Sequence, residues 1–188
     1  MSEDYEGGRP RDDGIIRYGD HISLKHILTG RFLTSKNETY NSGSYQQRVF
    51  TTDYVSHEST WIVLPPVVTE EEPGYEVGWD DPVRLKHVPT RANLHSHEVP
   101  SPASGQQEVS CFGDDENTDD NDVWKVQQFD EDDEQYDDFW RVGQPFILRH
   151  EVTGKLLHSH DVALEEGGNE VTGYEGTDDN DKWVVSFD

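Results

Sequence analysis

Two short strings of alternating histidine and serine are the part of this sequence best suited to chemistry. The string Leu-His-Ser-His occupies residues 94–97 and returns at residues 157–160, 63 residues further along the chain. In a β-strand, side chains two positions apart point to the same side, so each string is expected to present its two imidazoles together. Neutral imidazoles both donate and accept hydrogen bonds, which suits a ligand rich in hydroxyl groups.

Imidazoles are also common zinc ligands. Each string alone supplies only two of them, and the two strings belong to different copies of an internal repeat, too far apart to share one ion. We therefore predict no metal at the strings. The oxygen-rich loops 114–122 and 177–181 lack the mid-loop glycine and terminal glutamate of an EF-hand. For these loops, weak calcium binding and a structural turn both stay open as interpretations.

The sequence offers no motif for catalysis. It contains no Gly-x-Ser-x-Gly elbow, no phosphate-binding loop and no Gly-x-Gly-x-x-Gly motif. The one cysteine, Cys111, lies in a segment of alternating hydrophobicity, where a buried and inert thiol is expected. With 40 acidic residues in the chain, chance pairs of carboxylates carry no information about a glycosidase site. We predict no enzymatic activity and no cofactor.

The histidine strings sit within an internal repeat that is present three times. Its copies align on a Lys-His or Arg-His pair at residues 25–26, 86–87 and 149–150, spaced by 61 and 63 residues. A leucine stands seven residues after each of these histidines, and every copy ends on a tryptophan followed by β-forming residues. The recurring core candidates are Leu33, Leu94, Leu157, Trp61, Trp124 and Trp183.

Each copy contains four short segments of alternating hydrophobicity separated by turn residues, which predicts about twelve strands and no helix. Three copies are too few for a β-propeller, which uses about four to eight blades. They fit an all-β fold, the β-trefoil, with three repeats of four strands and pseudo-threefold symmetry. In that fold the first and last strands of each copy line a barrel, and the middle pair closes one end.

The strings and their neighbours resemble a known module. With Gln-Gln-Glu-Val at residues 106–109 and Asn-Asp-Val-Trp at 121–124, the string at 94–97 resembles the MIR domain, which protein O-mannosyltransferases share with inositol trisphosphate and ryanodine receptors. The resemblance is nearest to the O-mannosyltransferase type. It implies a β-trefoil that binds carbohydrate or glycosylated (mannosylated) peptide and performs no chemistry itself. The chain is also similar in architecture to small lumenal MIR proteins of the stromal-cell-derived-factor-two type, which assist chaperones.

The three copies match this pattern to different degrees. Copy two has every element, whereas copy three has Asn-Glu at 169–170 in place of a glutamine pair, and copy one has Leu-Thr-Ser-Lys at 33–36 without either histidine. Phe112 and Tyr174 are candidates for the aromatic platform that a sugar face needs. The predicted ligand-binding residues are Leu94, His95, Ser96, His97, Gln106, Gln107, Leu157, His158, Ser159, His160, Asn169 and Glu170.

Charge excludes two classes of partner. The formal net charge is −25 and the sequence pI is about 4.4, whereas a nucleic-acid binder needs a basic face and an anionic membrane would repel this chain.

The longest nearly unbroken apolar run, Trp61 to Val68, is far short of the roughly 18 to 20 residues that span a bilayer. The N-terminus lacks the apolar region of a signal peptide. This predicts a cytoplasmic protein as written, or a lumenal (ER) or secreted one if a targeting segment has been removed.

We predict a disordered acidic tail over residues 1–16 and one MIR β-trefoil over residues 17–188, with repeats near 17–77, 80–134 and 143–188. The connector 130–138 carries seven carboxylates in nine residues, which is typical of a solvated loop. It also supports an alternative function, an acidic protein-interaction or chaperone-accessory module that attracts a basic protein partner.

Overall fold

The computed structural model describes residues 7–67, 72–129 and 136–188, and these residues form β-strands and three short 3-10 turns without an α-helix. The strands are β1 (His21–Ile22), β2 (Leu24–His26), β3 (Phe32–Thr39), β4 (Gln47–Thr52), β5 (Trp61–Leu64), β6 (Pro82–His87), β7 (Asn93–Pro100), β8 (Gln107–Phe112), β9 (Trp124–Gln127), β10 (Ile147–His150), β11 (Leu156–Ala163), β12 (Asn169–Tyr174) and β13 (Trp183–Val185). The 3-10 turns are His57–Ser59, Asp120–Asp122 and Asp179–Asp181.

The strands form a β-trefoil. Repeat one comprises β1 to β5, repeat two β6 to β9 and repeat three β10 to β13. The first and last strands of the repeats pair around a closed barrel: β13 with β2, β1 with β5, β5 with β6, β6 with β9, β9 with β10, and β10 next to β13 through the bridge of Phe146 with Trp183. Within each repeat the two middle strands form a hairpin. The predicted division between barrel and hairpin strands is confirmed.

The three hairpins close one end of the barrel. Their second strands β4, β8 and β12 pair with one another around the pseudo-threefold axis. The first strand of repeat one is interrupted at Ser23, so its halves β1 and β2 pair with β5 and β13 respectively. This interruption accounts for one strand more than the predicted twelve.

The folded body begins before the predicted boundary at residue 17. Ile15 forms an isolated bridge with Arg141, and Ile16 is fully buried in the core. Residues 1–6 of the predicted tail lie outside the described residues, as do residues 130–135 of the acidic connector. The connectors also supply core residues, because Val77 and Trp140 are fully buried. Apolar side chains within otherwise polar connectors therefore fix where these segments cross the barrel.

The recurring leucines and tryptophans form the barrel core, as predicted. All six are fully buried, and the indole N–H of each tryptophan donates to the carbonyl of the leucine in its own repeat, at 3.0, 3.1 and 3.0 Å. Burying such a leucine side chain contributes about 1.5 to 3 kcal/mol. The indole hydrogen bond removes the cost of burying a polar group. The same contact therefore fixes the last strand of each repeat against its hairpin.

The histidines on which the copies align are joints between neighbouring repeats. The fully buried His26, His87 and His150 each place Nδ1 2.8 Å from a threonine hydroxyl within the following turn. Each Nε2 lies 2.8 Å from a backbone carbonyl of another repeat, which accepts its hydrogen. Burial lowers the pKa of all three imidazoles. Folding therefore favours the neutral form of these three imidazoles.

Candidate ligand-binding site

The histidine string of repeat two lies on β7 and is held by two buried carboxylates. His95 places Nδ1 2.7 Å from Asp122 Oδ1, and its Nε2 lies 3.2 Å from His97 Nδ1. His97 Nε2 lies 3.0 Å from Glu108 Oε1 on β8. The two imidazoles thus project to the same side of the strand, as the alternation predicts, and form a continuous chain between Asp122 and Glu108.

The hydrogen-bonded chain from Asp122 to Glu108 requires a definite number of protons. Its three hydrogen bonds end on two carboxylates, which only accept when ionised, so three protons must be shared along it. Two neutral imidazoles supply two. The third proton must either charge an imidazole or reside on one of the two carboxylates. Glu108 and Asp122 are fully buried, whereas the His97 side chain is 17% exposed. His97 is therefore the member of the chain that a ligand can reach.

Repeat three has a similar arrangement, in which the two imidazoles are in ring contact. His158 Nδ1 lies 2.8 Å from Asp181 Oδ1, and His160 Nε2 lies 3.3 Å from Glu170 Oε1 on β12. The two rings stand nearly perpendicular, with centroids 5.2 Å apart. Here too the inner imidazole is buried, and the His160 side chain is 15% exposed. Two imidazole pairs, each oriented by buried acids, thus recur in two repeats of one rigid body.

The two buried glutamates also connect repeats. Glu108 accepts hydrogen bonds from the backbone N–H and hydroxyl of Ser44 in the hairpin loop of repeat one. Glu170 accepts the same two bonds from Ser104 in repeat two. The orientation of each outer histidine therefore depends on the hairpin of the preceding repeat.

Several predicted ligand-binding residues are engaged inside the protein. Leu94 and Leu157 are in the core, and the hydroxyls of Ser96 and Ser159 donate to the carbonyls of Glu108 and Glu170 across their hairpins, both at 2.8 Å. The hydrogen-bond partner of each serine hydroxyl is thus a backbone carbonyl on the neighbouring strand rather than a ligand. Asn169 opens β12 at a half-buried position.

The glutamine pair bridges repeats two and three. Gln106 Oε1 accepts a hydrogen bond from Thr172 at 2.6 Å. Gln107 Nε2 donates to Ser96 Oγ at 2.7 Å and to Thr153 Oγ1 at 3.0 Å. Gln107 Oε1 is buried without a partner among the described residues. Gln106 Oε1 and Gln107 Nε2 are therefore used in contacts within the protein. Gln107 Oε1 retains its capacity to accept a hydrogen bond.

The predicted aromatic platform packs against the inner histidines. Phe112 lies 4.8 Å from His95 between ring centroids, and Tyr174 stacks on His158 at 4.3 Å. Each aromatic ring is half-buried. One face of each ring is thus covered by an imidazole, which joins the platform and the histidine string into one cluster per repeat.

Repeat one lacks this cluster because paired positions change together. Thr34 and Ser59 stand where repeats two and three have the inner histidine and its aspartate. Lys36 and Arg48 stand where they have the outer histidine and its glutamate. Arg48 instead pairs with Glu38 at 2.9 Å and donates to the Gly167 carbonyl of repeat three at 3.2 Å. Repeat one thus preserves the contact between repeats and loses the imidazoles.

Sequence reasoning missed Glu108 and both buried aspartates, Asp122 and Asp181. A signal was present, because the two copies with histidines also carry an acid immediately before the strand valine and an aspartate two residues before the tryptophan, while copy one has neither. The oxygen-rich loops form capped 3-10 turns in which Asp119 and Asp178 accept a backbone N–H as N-caps.

One histidine and two aspartates approach each other in each of these turns, a grouping that could surround a cation. In repeat two, however, Asp122 Oδ1 already accepts from His95, and Oδ2 accepts from the Thr118 hydroxyl at 2.6 Å and the Asp119 N–H at 3.0 Å. With Asp122 ionised, the Nδ1 of His95 carries the hydrogen of this bond and offers no lone pair to a metal. Hydrogen bonding explains the grouping.

Cys111 is buried on β8, and burial raises the pKa of its thiol to about 12. A thiolate is the nucleophilic form of cysteine, so this residue is inert at neutral pH, as the sequence predicts.

The MIR domain family model matches residues 38–186, which is most of the chain. The fold and the match agree, and this chain belongs to the MIR domain family. No helix among the described residues is long and apolar enough to span a membrane.

Two kinds of MIR protein are similar to it. The chain is 39% identical over 177 residues to the stromal cell-derived factor 2-like protein of Arabidopsis thaliana, covering 91% of this chain and 78% of that protein. The crystal structure of the SDF2-like protein from Arabidopsis thaliana matches with a TM-score of 0.86 over 92% of this chain and 94% of that one. The S. cerevisiae protein O-mannosyltransferase Pmt1-Pmt2 complex bound to the sugar donor matches with a TM-score of 0.82 and 30% identity, over 92% of this chain and 25% of that chain. The similarity to the transferase is thus confined to its MIR portion.

Proposed function

We propose that this protein is a non-catalytic recognition module that binds carbohydrate or mannosylated peptide through the histidine clusters of repeats two and three. The observation that carries the proposal is the outer imidazole of each cluster, His97 and His160. Each is partly exposed, and each is oriented by a buried glutamate. A ring fixed in this way suits contact with a sugar, because little side-chain entropy is lost on binding.

The inner histidine and the aromatic ring have supporting roles in this proposal. His95 and His158 fix the outer rings, and Phe112 and Tyr174 give each cluster an apolar edge. Single clusters of this kind bind weakly, and two clusters on one rigid body give a branched or repeated glycan a gain through avidity. Repeat one takes no part, because it has Lys36 at the position of the outer histidine.

The test is an NMR titration of the wild type with mannose, short mannosides and a mannosylated Ser/Thr peptide, beside the His97→Ala, His160→Ala double variant. The loss of two hydrogen-bonding side chains is expected to weaken binding about tenfold or more. Lys36→Ala is the matched control at the equivalent position of repeat one and should bind like the wild type.

A folded double variant that binds with wild-type affinity would overturn the assignment of the site. Absence of any response to mannosides at millimolar concentration in the wild type would overturn the carbohydrate proposal itself. Residues 130–135 of the acidic connector that supports the alternative function lie outside the described residues, and Asp137 of this connector pairs with Arg141.

A further inference from the structure

A groove beside the 3-10 turn of repeat two has a different chemical character from the histidine cluster, with which it shares Asp119. Its cavity measures about 800 Å³. The apolar part of its lining, called the floor, comprises Pro66, Val67, Pro82 and Val123, and Val67 is 68% exposed. The rim carries the carboxylates of Asp115, Glu116, Asp119, Asp120 and Glu151.

The charges of the rim are only partly neutralised. Arg91 and Lys86 pair with Asp115 and lower the pKa of its carboxyl to about 2. Glu151 lies 3.8 Å from Lys125. In the described part of the chain no cation pairs with Glu116 or Asp120, both of which are exposed.

One arginine lines the groove against five carboxylates. Arg84 donates from Nε to the Pro65 carbonyl at 2.8 Å, and it is half-buried. The groove therefore presents an excess of negative charge above an apolar floor.

Repeat three provides an internal comparison. Lys182 occupies the position of Val123, and Asp179 occupies the position of Asp120. In repeat three the lysine pairs with the aspartate at 3.1 Å and covers the Phe129 ring at 4.1 Å. At the same place in repeat two, an apolar side chain leaves the aspartate unpaired. The structure thus supplies within repeat three the cation that is missing from repeat two.

We propose that this groove binds a cationic peptide segment that contains apolar residues. Basic side chains of the partner would pair with Glu116 and Asp120, in the manner of Lys182 with Asp179. Its apolar side chains would cover Val67 and Val123. Complementary charge speeds the encounter and selects the partner, while the apolar floor supplies affinity that salt does not screen. The inference is independent of carbohydrate binding.

The test is fluorescence anisotropy with a short labelled peptide of alternating arginine and leucine, at low salt. Peptides with glutamine in place of arginine, or serine in place of leucine, are the matched ligands and should both bind more weakly. The decisive variant is Val123→Lys, which introduces the lysine of repeat three. The backbone at the two positions is similar, with φ and ψ of −98° and 130° at Val123 and −83° and 127° at Lys182, so the lysine fits the fold.

Val123→Lys is expected to weaken peptide binding about fivefold, the upper end of what one exposed ion pair contributes. Asp120→Asn should weaken it about two- to fivefold. Asp179→Asn in repeat three is the matched control and should leave it unchanged. Mannoside titration of Val123→Lys should match the wild type, which separates a failure here from a failure of the proposed function.

Wild-type peptide affinity in folded Val123→Lys would overturn the proposal. Equal weakening by Asp120→Asn and Asp179→Asn would also overturn it, because the peptide would then respond to net charge rather than to the groove. Titration with calcium alone is the remaining arm. Saturable binding of calcium that displaces the peptide would reassign the groove to a cation.

Discussion

At the scale of the residue, buried acids determine what the histidines can do. An imidazole has two nitrogens, and burying one without a partner is costly. Asp122 fixes the hydrogen of His95 on Nδ1, which leaves Nε2 to face His97. Glu108 then fixes the far side of His97. The partly exposed imidazole of His97 is therefore oriented by buried residues.

We predict that Asp122→Asn destabilises the protein by about 1 to 3 kcal/mol, because the buried His95 loses its charged partner and the 3-10 turn loses a fully matched acceptor. Urea unfolding followed by tryptophan fluorescence measures the change. Asp120→Asn, a substitution of the exposed neighbour in the same turn, should change the free energy of unfolding by less than about 0.5 kcal/mol. Equal losses in the two variants would show that the buried pair is not the cause.

At the scale of the element, the 3-10 turns and hairpins carry the contacts between repeats. Each turn leads into the tryptophan strand and offers a carbonyl to the joint histidine of the next repeat. Because these histidines are buried and neutral, protonation favours the unfolded chain.

The sign of the pH dependence follows from the lowered pKa. Burial places the pKa of His26 in the folded protein below the unfolded value of about 6.5. The unfolded chain therefore binds more protons than the folded protein between these two pH values. The contribution of His26 to stability is complete above pH 6.5 and is lost as the pH falls below it toward the folded pKa. One such histidine adds a slope of up to about 1.4 kcal/mol per pH unit.

We predict that His26→Gln flattens the fall of the free energy of unfolding below pH 6.5, relative to the wild type, even though the variant is less stable at pH 7. Urea unfolding at a series of pH values measures this. His57→Gln, at an exposed histidine, should keep most of the wild-type slope. An unchanged slope in His26→Gln would mean that this histidine is not a source of the acid sensitivity.

Much of the fold could be predicted from sequence because threefold repetition multiplies weak signals. A leucine recurs seven residues after each aligned histidine, and each copy ends on a tryptophan, so hydrophobic burial alone assigns these residues to the core. The division of the first strand at Ser23 was not predictable, since a backbone irregularity leaves no hydrophobic signature. The partners of the histidines were missed because Asp122 lies 27 residues from His95, and such side-chain pairs emerge only when the three copies are compared for joint changes.

At the scale of the whole molecule, the net charge of −25 acts against compactness. Like charges on one small body repel, and at physiological ionic strength the Debye length is about 8 Å, so added salt screens much of this repulsion. Among the described residues, the ion pairs that salt also weakens have at least one exposed partner, as in the pairs of Arg48, Lys86 and Lys182.

We predict that raising the sodium chloride concentration increases the thermal midpoint of unfolding, because repulsion between carboxylates is screened more than attraction is lost. Differential scanning calorimetry across a salt series measures the shift. Sodium sulfate at matched ionic strength is the comparison that separates screening from general salting-out. A midpoint that falls with sodium chloride would mean that attractive pairs dominate the electrostatics.

The pairing of β13 with β2 places the two ends of the described chain side by side. Lys25 Nζ donates to the Asp188 carbonyl at 3.2 Å, and the Arg9 guanidinium lies 4.5 Å from the centre of the Phe187 ring. The ring of repeats therefore has no privileged starting point. A circular permutant, joined across the present ends and reopened between repeats one and two, would retain every strand pairing, so the linear order of the three repeats is incidental to the architecture they build.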